Sequence, residues 1–377
     1  MPADFDRTHA AQSTGTRAMQ RIRADVRAMR AYHVSEAQGL LKMDAMENPH
    51  RLPAVLQAAL GARLGALELN RYPGSARQRV LHGLLHQYAH APEGWRVLPG
   101  NGSDEIIALL TLACAAPGSC VLAPAPGFVM YAISAQLHGL EFVGVDLTAD
   151  FALDVPAMRA AIARHRPAIV WLAYPNNPTA TLWHAADMAA VIDAAGAAGA
   201  IVVVDEAYQP FAGQSWMAHI RNAVQCPGHV LLMGTLSKFG LAGVRLGYLL
   251  GDAALIGEID KVRPPYNISA LNAEAAIFAL EHADVYARQA QDICRQRDIL
   301  LQELALLPGV KKIWPSHANM ILLRVANAPY TAQKMQACGV LIKNVCGMHP
   351  LLENCLRLTV GTAQENAQML AALRQSL

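Results

Sequence analysis

The chain has 377 residues, of which 53% are hydrophobic and 16% charged, with a formal net charge of +2. That length accommodates two domains around a large core, and the near-neutral balance without clustered Lys and Arg argues against a nucleic-acid partner. Asp193 and Asp205 interrupt the longest alanine- and valine-rich stretch before it reaches membrane-spanning length, so no membrane crossing is expected.

At the N-terminus, Arg21, Arg23, Arg27 and Arg30 are accompanied by Asp4, Asp6 and Asp25, and no charged start leads into an apolar core. Neither a secretory signal nor a mitochondrial leader is expected, and the chain reads as cytoplasmic. Met19, Ile22, Val26 and Met29 recur at helical spacing and predict an arm helix that packs on the large domain or a partner subunit. Apolar strand-like runs follow near 120–123, 141–145, 168–172, 200–204, 229–233 and 246–250, alternating with helical stretches near 104–116, 128–138, 156–164 and 184–198. This alternation predicts an α/β domain. The stretch 271–305 reads as long helix, and 310–377 alternates short strands with helix, which predicts a smaller α+β domain. The expected division is an arm and small-domain segment over 1–50, a large domain over 51–285, and a C-terminal small domain over 286–377. The seven cysteines, Cys114, Cys120, Cys226, Cys294, Cys338, Cys346 and Cys355, form no Cys-x-x-Cys pair and no ligand spacing with histidine. Reduced thiols and no metal are therefore expected.

Four segments carry chemistry. In Gly100-Asn101-Gly102-Ser103-Asp104-Glu105, a glycine-bearing loop opens a helix with Ser103 as its expected N-cap, and free N–H groups with the helix dipole make an anion site. The strand ending at Leu172 runs into Ala173-Tyr174-Pro175-Asn176-Asn177-Pro178, an extended turn that can present the Asn177 amide edgewise to a ligand oxygen. Ala200 to Val204 is a buried strand that ends on Asp205, at the carboxyl edge where α/β sheets bind ligands, with Tyr208 just beyond. Gly234-Thr235-Leu236-Ser237-Lys238 sets two hydroxyls before an amine, and Arg245 follows after small residues. Such a site grips a phosphate beside a nucleophilic nitrogen, which suits pyridoxal phosphate: its aldehyde condenses with a lysine, its phosphate needs hydroxyls and a guanidinium, and its pyridine nitrogen pairs with a carboxylate such as Asp205.

Together these segments resemble the fold-type I pyridoxal-phosphate aminotransferases of class I/II, and most closely the histidinol-phosphate aminotransferases. The resemblance extends to Lys42-Met43-Asp44-Ala45-Met46-Glu47-Asn48-Pro49, Asn70-Arg71-Tyr72-Pro73-Gly74, Pro124 to Tyr131, Pro264-Pro265-Tyr266-Asn267 and Leu356-Arg357-Leu358-Thr359-Val360-Gly361-Thr362. It implies that Lys238 holds the cofactor, Asp205 its ring nitrogen, and Asn177 with Tyr208 its ring oxygen, while Phe128 stacks on the ring. It implies a phosphate site of Gly102, Ser103, Asp104, Thr235, Ser237 and Arg245, with Tyr72 reaching over from the second subunit of a homodimer. Arg357 is expected to bind the substrate's anionic group as a bidentate fork, with Lys343, Tyr32 and Tyr266 as further phosphate ligands. Four positions depart from the resemblance. Met46 stands where asparagine is usual, Ala180 where glycine is usual, Phe128 lacks a tyrosine's hydroxyl, and Lys343 replaces an arginine.

The implied reaction moves an amino group between histidinol phosphate and 2-oxoglutarate, giving imidazole acetol phosphate and L-glutamate, with the freed Lys238 amine as general base. An aminotransferase for aromatic or other amino acids and a threonine-phosphate decarboxylase-like lyase share the same motif set. A cofactor-bearing transcription regulator would need a DNA-binding domain, for which the 30-odd residues before the first motif are too few.

Overall fold

The computed structural model describes residues 18–29, 31, 36–223 and 227–377. It forms two compact units, 1–36 and 37–377. In the first, the predicted arm helix is short: it covers Ala24–Ala28 and buries none of its residues. Met19 and Ile22 lie outside it and are exposed, so the predicted apolar stripe does not form one continuous helix.

The second unit contains two sheets. Strand β1 is Leu41–Met43 and β2 is Trp95–Gly100; β3 (Cys120–Ala125), β4 (Glu141–Asp146), β5 (Ile169–Ala173), β6 (Ile201–Asp205), β7 (Val230–Thr235) and β8 (Gly247–Asp252) follow. The order β2-β8-β7-β6-β5-β3-β4 makes a seven-stranded sheet in which β8 alone runs against its neighbours. Every residue of β5 and β7 is buried, as expected of strands covered on both faces. Their side chains alternate between two cores. Val170, Leu172, Val202, Val204 and Leu232 join one core, whereas Trp171, Val203, Leu231 and Met233 join the other. By the same alternation Asp205 follows Val203 onto the second face, where helix Val129–His138 packs.

Six of the seven strands of this sheet coincide with the predicted runs. The exception is β2, whose apolar pattern is broken by Arg96 and Pro99 and which joins the edge by pairing with β8. The predicted long helix over 271–305 is two helices, Ala270–Glu281 and Ala283–Ala305, broken at His282. The first is buried along Ala273–Leu280, and the second exposes one face; their environments demand different directions. Glu274, 7% exposed in that buried helix, is held by Arg63 at 2.6 Å and Arg77 at 3.0 Å.

The smaller sheet has the order β1-β11-β12-β10-β9, with β9 at Lys312–Ile313, β10 at Met320–Arg324, β11 at Val340–Asn344 and β12 at Cys355–Thr359. Strand β1 adds to it in parallel with β11, so the segment that follows β1 is delivered to the larger sheet's carboxyl edge. Among the described residues no helix is long and apolar enough to cross a membrane, no His, Cys, Asp or Glu group could hold a metal, and six cysteines are free.

Candidate active site

The carboxyl ends of β5, β6 and β7 are in register: Ala173 lies opposite Asp205, Asp205 opposite Met233, and Thr235 opposite Gly247. The loops leaving these ends converge on one cavity. Ser103, Asp104, Phe128, Asn177, Asp205, Tyr208, Thr235, Ser237, Lys238 and Arg245, all expected from the sequence, line it together with Met46, Ala173, Pro175 and Ala207.

One end of the cavity is built for an anion. The helix Gly102–Ala113 begins there, with Asn101 rather than Ser103 as N-cap. The Asn101 N–H donates to the Glu105 carboxylate at 2.7 Å, which anchors the helix start two residues earlier than predicted. Ser103 therefore sits in the first turn, where N–H groups have no helical acceptor. The Ser237 N–H donates to Thr235 Oγ1 at 3.1 Å, and the Arg245 guanidinium lies 3.5 Å from Ser237 Oγ and 3.2 Å from an Asp104 carboxylate oxygen. Gly102 sits at φ +75°, a backbone that favours glycine, and a Cβ there would also displace the Arg245 guanidinium, whose Nη2 would lie 2.7 Å away.

Asp205 occupies the floor, 4% exposed. Its Oδ2 accepts from the Tyr131 hydroxyl at 2.6 Å, and its Oδ1 from the Ala207 N–H at 3.0 Å. Burial pushes this carboxyl up to about 6, against the lowering effect of those two bonds, so it remains largely ionised at neutral pH. Tyr131 is the functional residue that sequence reasoning missed. It stacks on Trp171 at 4.8 Å and meets Phe128 edge-on at 5.6 Å. The available signal was its place three residues after Phe128 in an apolar helix, since a buried tyrosine needs a partner for its hydroxyl.

Lys238 follows β7 in a tight helical turn, Ser237–Leu241, closed by Gly240 at φ +140°. A Cβ at Gly240 would lie 2.8 Å from the Tyr286 ring. The amine donates to the Ala45 carbonyl at 2.8 Å and stands 5.9 Å from the centre of the Tyr208 ring. Burial, then the positive Arg357, lower its pKa to about 8, partly opposed by Glu47. Arg357 lies on β12, donating to Asn177 Oδ1 at 2.7 Å and to the Asp44 carbonyl at 2.8 Å. The first bond commits the Asn177 oxygen and leaves its Nδ2 as the donor available to a ligand.

Gly102 and Arg357 adjoin the lining residues Ser103 and Asn177 without lining the cavity themselves, and three expected residues lie elsewhere. Tyr72 and Tyr266 are exposed and stack on each other at 4.5 Å, outside the cavity of their own chain. Lys343 is Arg357's cross-strand neighbour on β11 and does not line the cavity. Tyr32 lies outside the described residues. Of the four departures, Met46 and Ala180 are left-handed, at φ +52° and +60°. That is why asparagine and glycine suit these positions.

The sequence model of the family "Aminotransferase class I and II" matches residues 39–373. The histidinol-phosphate aminotransferase of Acidovorax sp. (strain JS42) is 64% identical over 360 residues, covering 96% of this chain and 98% of its own. Among solved structures, the histidinol-phosphate aminotransferase from Clostridium acetobutylicum superposes with a TM-score of 0.80 at 23% identity, over 89% of this chain and 98% of that one. The histidinol-phosphate aminotransferase from Sinorhizobium meliloti in complex with pyridoxal-5'-phosphate gives a TM-score of 0.80 at 22% identity, over 94% and 97%.

Proposed function

From the premise that the chain belongs to the class I and II aminotransferases, we propose that it is a pyridoxal-phosphate enzyme interconverting histidinol phosphate and 2-oxoglutarate with imidazole acetol phosphate and L-glutamate. The observation that carries this reading is the single cavity that joins a lysine amine, a buried carboxylate and a hydroxyl–guanidinium cradle. The donor set fits the cofactor. Ser103, Thr235, Ser237 and Arg245 would hold its phosphate, Asp205 its ring nitrogen, and Asn177 with Tyr208 its ring oxygen.

When bound, pyridoxal phosphate supplies a cationic ring that takes up the electron pair left at the substrate Cα after proton removal. Asp205 would hold a proton on the ring nitrogen, and the Tyr131 hydroxyl, which donates to it and lowers its pKa, would keep it aligned and ionised. Lys238 Nζ would accept the Cα proton of the substrate and return it on the other side of the substrate nitrogen. An amine at about 8 is uncharged in a useful fraction at neutral pH, as a general base requires. Arg357 meets a phosphate-bearing donor in one half-reaction and carboxylates in the other.

We read residues 51–285 as the large domain and 286–377 as the small one, and the working unit as a homodimer. The exposed Tyr72–Tyr266 stack, which does not line its own chain's cavity, supports a role in the neighbouring site. Activity of mixed dimers pairing Tyr72→Phe with Lys238→Ala chains tests this: strict proportionality to intact chains argues against a shared site.

The assignment is tested by the visible spectrum of the loaded protein during titration with histidinol phosphate, L-glutamate, L-phenylalanine and threonine phosphate. Conversion of the cofactor to its amine form by histidinol phosphate and by L-glutamate is the expected result. Conversion by phenylalanine and glutamate only would make the chain an amino-acid aminotransferase instead. Loss of carbon dioxide from threonine phosphate would make it a lyase.

The pH dependence of loading follows from Lys238. Its uncharged fraction rises tenfold per pH unit up to about 8 and then saturates. The rate at which the apoprotein captures pyridoxal phosphate should therefore climb to pH about 8 and level off. A climb continuing toward the ~10.4 of an ordinary lysine would contradict the effect of burial and Arg357. Tyr131→Phe removes a hydrogen bond to a charged group, a change of ~1.5–3 kcal/mol. Cofactor affinity, read by absorbance titration, should fall about 10–100-fold, and a change below about twofold would leave Tyr131 only its core packing.

A further inference from the structure

Met46 lines the cavity, yet the chemistry derived above gives its side chain no task. Its backbone is held at φ +52°, a conformation that costs a non-glycine residue about 1–2 kcal/mol and that asparagine reaches more readily. Two anchors impose it. The Met46 N–H donates to Thr359 Oγ1 at 3.1 Å, and its carbonyl accepts from Asn319 Nδ2 at 2.9 Å, Asn319 being fully buried. The two preceding carbonyls are engaged by the cations of the site, Asp44 by Arg357 and Ala45 by Lys238, each at 2.8 Å. Three successive carbonyls are thus fixed, and the direction of the Met46 side chain with them.

Met46 lines the cavity while 6% exposed and sharing an apolar core with Met43, Ala180 and Tyr208, and the two carbonyls before it are those held by Arg357 and Lys238. The anion cradle of Ser103, Ser237 and Arg245 is formed by other segments, so Met46 belongs to the part of the cavity where the substrate approaches Lys238 and Arg357. Backbone strain stored at such a wall points to a role in function. A thioether is polarisable and contacts ring edges favourably, and it offers a second carboxylate no hydrogen bond.

We propose that Met46 is a specificity-determining residue: its thioether packs against the side chain of the amino donor and favours a donor that carries a planar ring over one that carries a second carboxylate. This rests on the aminotransferase reading of the same cavity and adds the residue that weighs its two donors.

The test compares wild type with Met46→Asn and Met46→Leu as loaded enzymes. Asparagine keeps the left-handed backbone accessible and replaces the apolar wall by an amide; leucine keeps the wall apolar. The expected result is that Met46→Asn lowers the ratio of kcat/KM for histidinol phosphate to that for L-glutamate by about 5–10-fold, while Met46→Leu changes it by less than about threefold. Thermal melting of the apoproteins provides a readout independent of turnover: asparagine relieves the left-handed backbone but removes a thioether from the apolar core it shares with Met43 and Tyr208, so a modest fall on Met46→Asn, with cooperative melting retained, is expected. Equal loss for both donors, or an unchanged ratio in a folded Met46→Asn protein, would overturn the proposal. Should Met46→Asn not fold, binding of histidinol phosphate to loaded Lys238→Ala with and without Met46→Leu, read by calorimetry, decides: a loss above tenfold would show a demand for shape that a ring-selective apolar wall does not have. If wild type accepts phenylalanine but not histidinol phosphate, the function proposed above fails, and a fall in the phenylalanine-to-glutamate ratio on Met46→Asn still upholds Met46.

Discussion

Lys238→Ala is expected to lower kcat for amino transfer by about 10⁴-fold or more, because Lys238 carries the only amine among the described residues that line the cavity and can hold the proton that leaves the substrate Cα. The variant should still fold. Below pH about 8 the native apoprotein carries the cost of a desolvated ammonium beside Arg357, a cost that alanine removes. It should also still admit pyridoxal phosphate, since Ser103, Thr235, Ser237, Arg245 and Asp205 are untouched. The measurement is single-turnover absorbance with histidinol phosphate on the loaded variant, with cofactor stoichiometry determined in parallel. Loaded but inert protein is the expected result, and wild-type turnover would remove Lys238 from the mechanism. Lys238→Arg is a sharper control, because a guanidinium stays protonated and cannot serve as base at any working pH.

Arg357→Ala is expected to weaken kcat/KM in both half-reactions, by ~2–5 kcal/mol each for loss of a desolvated charge pair. The residue is well placed for a double role. It lies on β12, flanked by β11 and β10, so its backbone is fixed on both sides. Its guanidinium is oriented by Asn177 and by the Asp44 carbonyl, ready to offer a planar fork to a carboxylate or a phosphate. Steady-state kinetics with histidinol phosphate and, separately, with L-glutamate decide the matter. A loss confined to glutamate would mean that the phosphate-bearing donor is held by other groups. Arg357→Lys should recover little, since an ammonium supplies charge without the fork.

What could be read from the chain alone was whatever is written in contiguous residues. The continuous apolar runs of β3 and β5 to β8 mark strands buried on both faces, β4 is a more exposed edge strand, and each predicted run overlaps its strand. The chemistry of the motifs is equally local. A carboxylate closing β6, an amine three residues past β7 and a glycine loop opening a helix after β2 all fall at carboxyl strand ends because of where their strands stop; parallel pairing brings the first two together, and the antiparallel β8 between β2 and β7 brings in the third. The seams were less legible. The break at His282 needs the packing of two helices in unlike surroundings, and Arg96 and Pro99 disguise β2 until β8 pairs with it.

The composition of the cavity in detail was decided only by tertiary structure. Tyr131 meets Asp205 across 74 residues, Lys238 meets the Ala45 carbonyl across 193, and Thr359 fixes Met46 across 313. No periodicity records such contacts, because each depends on how sheets and loops come to rest against one another rather than on the preferences of neighbouring residues. The sequence by itself therefore determined the cofactor, through the residues that a phosphate, a ring nitrogen and an aldehyde each require. The tertiary structure decided the rest: that Asp205 is ionised against its burial, that Lys238 is held near 8, and that a strained methionine forms a wall of the cavity. These properties arise from burial and from distant charges, which exist only once the chain has folded.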